Sequence, residues 1–276
     1  MGQTIACANQ KGGVGKTTTV VDLASFLALA GHRVLIVDLD PQGNATSGLG
    51  IDRSSLPRSL YDAIVDEVEL PELIVRGSAA GVDVAPSSIA LAGAEIELAA
   101  VSGRERRLRR RIDAVRDTYD IILIDCPPSL GLLTVNALTA ADSVLIPLQC
   151  EYYALEGLTQ LLATIDLVRD HLHPSLALDG VVLTMADART NLSAEVAAEA
   201  RRHLGSLVYD TVIPRSVRLS EAPSHGRSIA DYAPDSRGGQ AYAKLAAEFA
   251  ARHALPRTET AVSIPIVNDE EALVLS

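Results

Sequence analysis

The sequence predicts an α/β fold in three layers, a mostly parallel, twisted sheet flanked by helices on both faces. Three observations predict it. Continuously apolar runs of strand length recur along the chain, and such runs belong to strands buried on both faces, as parallel strands are. The first two, Thr4–Ala8 and Arg33–Val37, are joined by a helical run, Thr17–Ala30; strand, helix, strand is the unit of a parallel sheet. Between the first strand and that helix lies a glycine-rich turn, Lys11-Gly12-Gly13-Val14-Gly15-Lys16-Thr17.

Taken in order, the helix after this turn carries Val20, Val21, Leu23, Ala24, Leu27 and Ala30 at helical spacing, and Gly31 stops it. The strand Arg33–Val37 runs into Asp38-Leu39-Asp40-Pro41-Gln42-Gly43-Asn44. Leu60–Ile64 reads as helix, Val82–Pro86 as a short strand, and 88–118 as one or two helices. The basic run Arg104–Arg111 in that segment reads as a solvated helix face rather than a phosphate patch. Ile121–Asp125, Ser143–Leu148 and Gly180–Thr184 are further strands, with an amphipathic helix over Leu155–Leu172. A helix over 193–204, a strand over Leu207–Ile213 ending at Pro214, and a last helix over Gln240–His253 complete the pattern. Residues 1–256 are expected to form a single domain and 257–276 a poorly ordered tail.

The 276 residues are 48% hydrophobic but only 3% aromatic, without tryptophan, so the core must be aliphatic. A net charge of −11 argues against a surface coated in positive charge and leaves room for a local basic patch. Cys7, Cys126 and Cys150 lie far apart with no CxxC pair, which predicts buried thiols rather than a disulfide framework or zinc site. The six histidines show no metal spacing, and His171 and His173, at a helix end, are expected to face solvent. The N-terminus lacks the pattern of a signal peptide, and no apolar stretch approaches the roughly 20 residues of a membrane span. A soluble cytoplasmic protein is expected.

The glycine turn predicts phosphate binding, because it gathers bare backbone N–H groups at the positive end of a helix. Gly15-Lys16-Thr17 matches the end of the P-loop pattern, in which the lysine reaches the β/γ-phosphates and the hydroxyl ligates Mg²⁺. Thr18 extends the match. The first glycine of that pattern belongs at position 10, where this chain has Gln10, and a second lysine, Lys11, enters the loop. Lys11, Lys16 and Lys244 are the only lysines among 24 basic residues. A chain that otherwise uses arginine keeps the compact ammonium at both loop positions. Three acids end two of the apolar runs, Asp38 with Asp40 and then Asp125; Asp125 fits a Walker B role, holding the metal through water. Asp38 and Asp40 share a face by period-two alternation if the strand persists, so that one fits the metal's shell and the other the orientation or deprotonation of an attacking water. Turn formation before Pro41 is the alternative reading of Asp38 and Asp40.

KGGVGKTT (11–18), DLDPQGNAT (38–46), IDCPPSLG (124–131) and TMADARTNLS (184–193) together resemble the ParA/Soj family of partition ATPases. These are deviant Walker A P-loop NTPases of the MinD/ParA superfamily, and the likeness runs over roughly residues 3–253. The resemblance implies ATP and Mg²⁺ as cofactors and a homodimer of ATP-bound subunits packed face to face. Lys16 would serve its own nucleotide, while Lys11 would cross to the partner's phosphates as an arginine finger does. It further implies Asp40 as the hydrolytic acid, Met185 and Pro214 beside the adenine, and Glu151 approaching the ribose across the interface. Arg189, Arg215, Arg218 and Arg227 would bind double-stranded DNA without sequence preference. A ParB-type centromere-binding partner would stimulate slow hydrolysis on the nucleoid. A MinD-like membrane-cycling ATPase is the alternative; it needs a basic amphipathic C-terminal helix, and 257–276 holds one arginine and four acids. An iron–sulfur carrier would need paired cysteines, which the chain lacks. No stable membrane association is expected.

Overall fold

The apolar runs become the interior of one eight-stranded sheet in a computed structural model that describes residues 2–256, apart from Ala80, Tyr152, Tyr153 and Ala188. The segment 257–276, expected as a tail, lies outside the described residues. The strands are β1 (Gln3–Cys7), β2 (Val34–Asp38), β3 (Val75–Arg76), β4 (Val82–Ala85), β5 (Ile121–Asp125), β6 (Ser143–Gln149), β7 (Ala177–Ala186) and β8 (Val208–Pro214). Their order is β3-β4-β2-β5-β1-β6-β7-β8. All pairings are parallel except β3 on β4. The parallel strands therefore point their C-terminal ends the same way, where α/β sheets bind ligands.

The helices are α1 (Lys16–Leu29), α2 (Asn44–Gly48), α3 (Leu60–Ile64), α4 (Leu91–Glu97), α5 (Arg107–Asp113) and α6 (Leu132–Ala140). After them come α7 (Ala154–His171), α8 (Asn191–Leu204), α9 (Val217–Glu221), α10 (Ile229–Tyr232) and α11 (Arg237–Arg252). Strand alternation divides the core between the two faces. Ile5 and Cys7, Val34 and Ile36, Ile121 and Leu123 pack with residues of α1, α10 and α11. Ala6, Leu35 and Val37, Ile122 and Ile124 pack with residues of α3 to α8. The expected three layers result.

Two local expectations change. Arg107 and Arg111 are not solvated: their side chains are 13% and 12% exposed, folded onto the 64–69 loop. Arg107 donates to the carbonyls of Ile64 and Val65 and pairs with Glu67 at 2.9 Å, while Arg111 pairs with Glu69. His173 is buried rather than solvent-facing, with Nε2 3.0 Å from the Ala141 carbonyl oxygen. Burial and the neighbouring Arg109 push its pKa down, so the ring stays neutral. The three cysteines are buried and free, as expected, and burial raises each thiol's pKa.

Candidate nucleotide site

The glycine turn leaves β1 and enters α1 through two left-handed residues, Gly13 (φ 76°) and Gly15 (φ 92°), a conformation that costs glycine little. Gly15 caps α1 without any side-chain hydrogen bond, which leaves the helix's first N–H groups to a ligand. Two residues outside the glycine turn hold the loop. Asn9 accepts the Lys11 N–H (3.0 Å) and donates to the Pro147 carbonyl (2.8 Å), and Thr184 Oγ1 donates to the Val14 carbonyl (2.8 Å). Lys16 is buried, its Nζ donating to the Lys11 carbonyl at 3.3 Å. Gly12 and Gly13 are exposed, and Thr17 and Thr18 half-buried. The Lys11 ammonium lies 2.9 Å from Glu151 Oε2, and Gln149 donates to the other Glu151 oxygen at 2.6 Å.

Register places two acids side by side, because Asp38 of β2 pairs with Asp125 of β5. Asp38 is fully buried; its Oδ2 accepts the Thr46 N–H (2.7 Å) and hydroxyl (2.6 Å), and its Oδ1 has no hydrogen bond. Burial pushes its pKa up to about 6 against the pull of the Thr46 bonds. Asp125 is buried with neither oxygen in a regular hydrogen bond. Burial, then the Asp38 charge, raises its pKa well above the usual range, and the nearby Thr17 hydroxyl and Lys16 act the other way. Asp40 lies beyond the strand, which ends at Asp38, so strand alternation does not orient the pair. Instead a turn does: Asp40 Oδ1 accepts the Gln42 N–H at 2.9 Å, and the Ser87 hydroxyl donates to the Asp40 carbonyl at 2.5 Å.

Three buried carboxylate oxygens without partners make a concentration of negative potential that a native interior rarely leaves uncompensated. Among the described residues no three His, Cys, Asp or Glu side chains could hold a metal by themselves. Mg²⁺ suits such a place, since it keeps several waters and takes one or two carboxylates plus phosphate oxygens. The donor set of Thr17, Asp125 and Asp38 fits that ion.

Met185 and Pro214 come together at the ends of β7 and β8, where Ala186 pairs with Pro214. With Gly15, Thr18, Thr184 and Tyr242 they line a cavity of about 300 Å³ beside the loop. Arg189 and Arg215 line a separate cavity of about 760 Å³, joined there by Arg237, which the sequence pattern did not single out. Its signal was hidden, since Arg237 opens α11 far along the chain from the other two. The Arg189 side chain is 87% exposed and forks onto Asp187 at 2.9 and 2.7 Å, holding that carboxyl well below the usual range. Arg218 pairs with Glu221 at 2.8 Å. Arg227 stands apart, in a cleft shared with Thr17, Thr18 and Asn44.

The AAA domain family matches residues 2–178. The sporulation initiation inhibitor protein Soj of Bacillus subtilis is 58% identical over 251 residues, covering 91% of this chain and 99% of that protein. The chromosome partitioning protein ParA of Caulobacter vibrioides is 52% identical over 252 residues, 91% of this chain and 94% of that one. Among solved structures, cobyrinic acid a,c-diamide synthase of Mycobacterium smegmatis, with ADP and magnesium bound, superposes with a TM-score of 0.78. It is 40% identical and covers 90% of this chain and 93% of that one. Sheet order, loop, acids and sequence identity over nine-tenths of the chain agree: the protein belongs to the ParA/Soj family of chromosome-partitioning ATPases.

Proposed function

We propose that this partitioning ATPase is a nucleotide-driven switch, in which ATP joins two subunits and the dimer grips DNA until hydrolysis releases it. ATP and Mg²⁺ are its cofactors. The observation that carries the reading is the set of unpartnered carboxylate oxygens on Asp38 and Asp125 beside Lys16, at the mouth of a loop whose N–H groups await an anion.

Lys16 exchanges its present acceptor, the Lys11 carbonyl, for the β/γ-phosphate oxygens. Thr17, Asp125 and Asp38 hold Mg²⁺, which neutralises charge on the triphosphate. The adenine occupies the Met185–Pro214 cavity. A water oxygen bonds to the γ-phosphorus as the bond to the β-γ bridging oxygen breaks, and Asp40 takes the water's proton. Gly12, Gly13, Val14, Gly15 and Thr18 cradle the phosphates. Lys11 leaves Glu151 to meet the phosphates of the second subunit, and Glu151 approaches that subunit's ribose.

Arg189, Arg215, Arg218 and Arg227, with Arg237 beside the first two, supply the DNA contacts, which pairing of subunits doubles. Phosphate contacts of this kind carry no base sequence information. A ParB-type centromere-binding protein stimulates hydrolysis, and the cycle runs in the cytoplasm on the nucleoid. Residues 1–256 act as one domain. Size-exclusion chromatography with ATP on Asp40→Ala tests the cycle: a trapped dimer is expected, and a permanent monomer overturns it. In a gel shift, equal ATP-dependent DNA binding by wild type and Lys16→Ala would sink the switch.

A further inference from the structure

Helix α4 has two apolar sides, and only one is covered. Leu91, Ala94 and Leu98 face the core and are buried. Ile89, Ala92, Ile96 and Ala99, across α4 and its flanking turns, are all exposed, Ile89 by 66% and Ile96 by 80%. Their spacing of three, four and three residues is the seam by which a helix receives another helix.

The rim of this stripe is acidic. Glu97 accepts the Tyr61 hydroxyl at 2.9 Å, and Asp66 and Asp62 lie close enough to raise the same phenol's pKa. Arginines that could offset them are engaged elsewhere: Arg107 and Arg111 with Glu67 and Glu69, Arg104 with Glu105. An apolar stripe edged with carboxylates complements an amphipathic helix carrying lysine or arginine beside its own apolar residues.

The stripe is also wired to the reacting end of the sheet. Ser87, in the lead-in to α4, donates to the Asp40 carbonyl at 2.5 Å. The Ser87 N–H donates at 3.0 Å to Thr46 Oγ1, which itself donates to Asp38. From the middle of α4, Glu95 accepts the Leu133 N–H at 3.3 Å, at the start of the helix that follows the Asp125 loop. A shift of α4 thus bears on both acid-bearing loops.

We infer that the outer stripe of α4 is the docking site for a basic amphipathic helix of the stimulating partner, and that Ser87 transmits docking to Asp40. This rests on the partner-stimulated reading given above. The experiment titrates the full chain, with DNA and ATP, with its cognate ParB-type protein and follows phosphate release. Ile89→Ser/Ile96→Ser and Glu97→Lys should each raise the half-saturating partner concentration on the order of tenfold. Their unstimulated rate and ATP-dependent dimer should match wild type. Ser87→Ala, a change at a positioning residue, should keep the half-saturating concentration and lower the maximal stimulated rate. Titration curves of the double serine variant that superpose on wild type overturn the site. Loss of the ATP-dependent dimer in that variant overturns it too, assigning the stripe to a second copy of the chain. A wild type that the partner does not stimulate at all defeats the partner reading itself, and the docking site with it.

Discussion

Lys11 and Glu151 form an ion pair within one subunit, Nζ to Oε2 at 2.9 Å, with side chains 39% and 50% exposed. In the proposed dimer both belong to the neighbour's nucleotide, so the single subunit keeps them occupied with each other. An exposed pair of this kind is worth about 1 kcal/mol at most. A triphosphate in a water-excluded interface is a far stronger claim on the ammonium. The pair parks the lysine without locking it.

Lys11→Ala should therefore leave folding stability within about 1 kcal/mol of wild type. Monomer ATP binding should persist, because Lys16 and the loop N–H groups remain. The dimer and its DNA affinity should be lost. Urea denaturation, nucleotide titration and sedimentation with ATP check the three parts separately.

Glu151→Ala separates a structural from an interfacial role. Stability should again change by no more than about 1 kcal/mol, while the ATP-dependent dimer dissociates more readily. A variant that dimerises as wild type does removes Glu151 from the interface.

Arg189 is held by Asp187 in a two-bond fork, so its free guanidinium surface is diminished before DNA arrives. Asp187→Asn should raise nonspecific DNA affinity several-fold by weakening the fork and deleting a like charge facing the phosphates. Arg189→Ala should weaken binding and flatten the log–log salt dependence by about 0.9 for each phosphate the arginine neutralises. Filter binding between low and moderate salt gives both numbers.

Asp22, buried in α1, accepts the Ile229 N–H at 2.8 Å, yet burial pushes its pKa up to about 7. The folded state thus holds a proton that the unfolded chain, near 3.8, has released. That stabilising contribution is complete below about pH 4 and is lost as pH rises through about 7. Asp22→Asn keeps an acceptor for Ile229 and has nothing to ionise. Its stability relative to wild type should grow from pH 5 to pH 8, by a few kcal/mol at most. Urea midpoints across that range are the measurement, and a constant difference refutes the assignment.

Much of this fold was legible because most of its strands carry continuous apolar runs, because β2 and β5 end in acids, and because α1 follows a glycine turn at once. Short elements were not. β3 has two residues, and α9 and α10 have five and four, too few for a period to declare itself. The strand-end acids Asp38 and Asp125 and both loop lysines could be read from local motifs. The bonds of Asn9 to the Pro147 carbonyl, Thr184 to the Val14 carbonyl and Ser87 to the Asp40 carbonyl could not, since each partner is remote in sequence. His173 misled for the same reason: its partner is the Ala141 carbonyl, reached only when the sheet assembles.

Burial of Cys7, Cys126 and Cys150 has a practical consequence. Thiol reagents attack the exposed thiolate, and burial both hides these sulfurs and keeps them protonated. The folded protein should therefore react far more slowly with maleimide than the unfolded chain. One cysteine placed on the open side of α4, as in Ile96→Cys, would take a fluorophore at a single position. Emission from that dye would then report arrival and departure of whatever covers the helix, one turnover at a time.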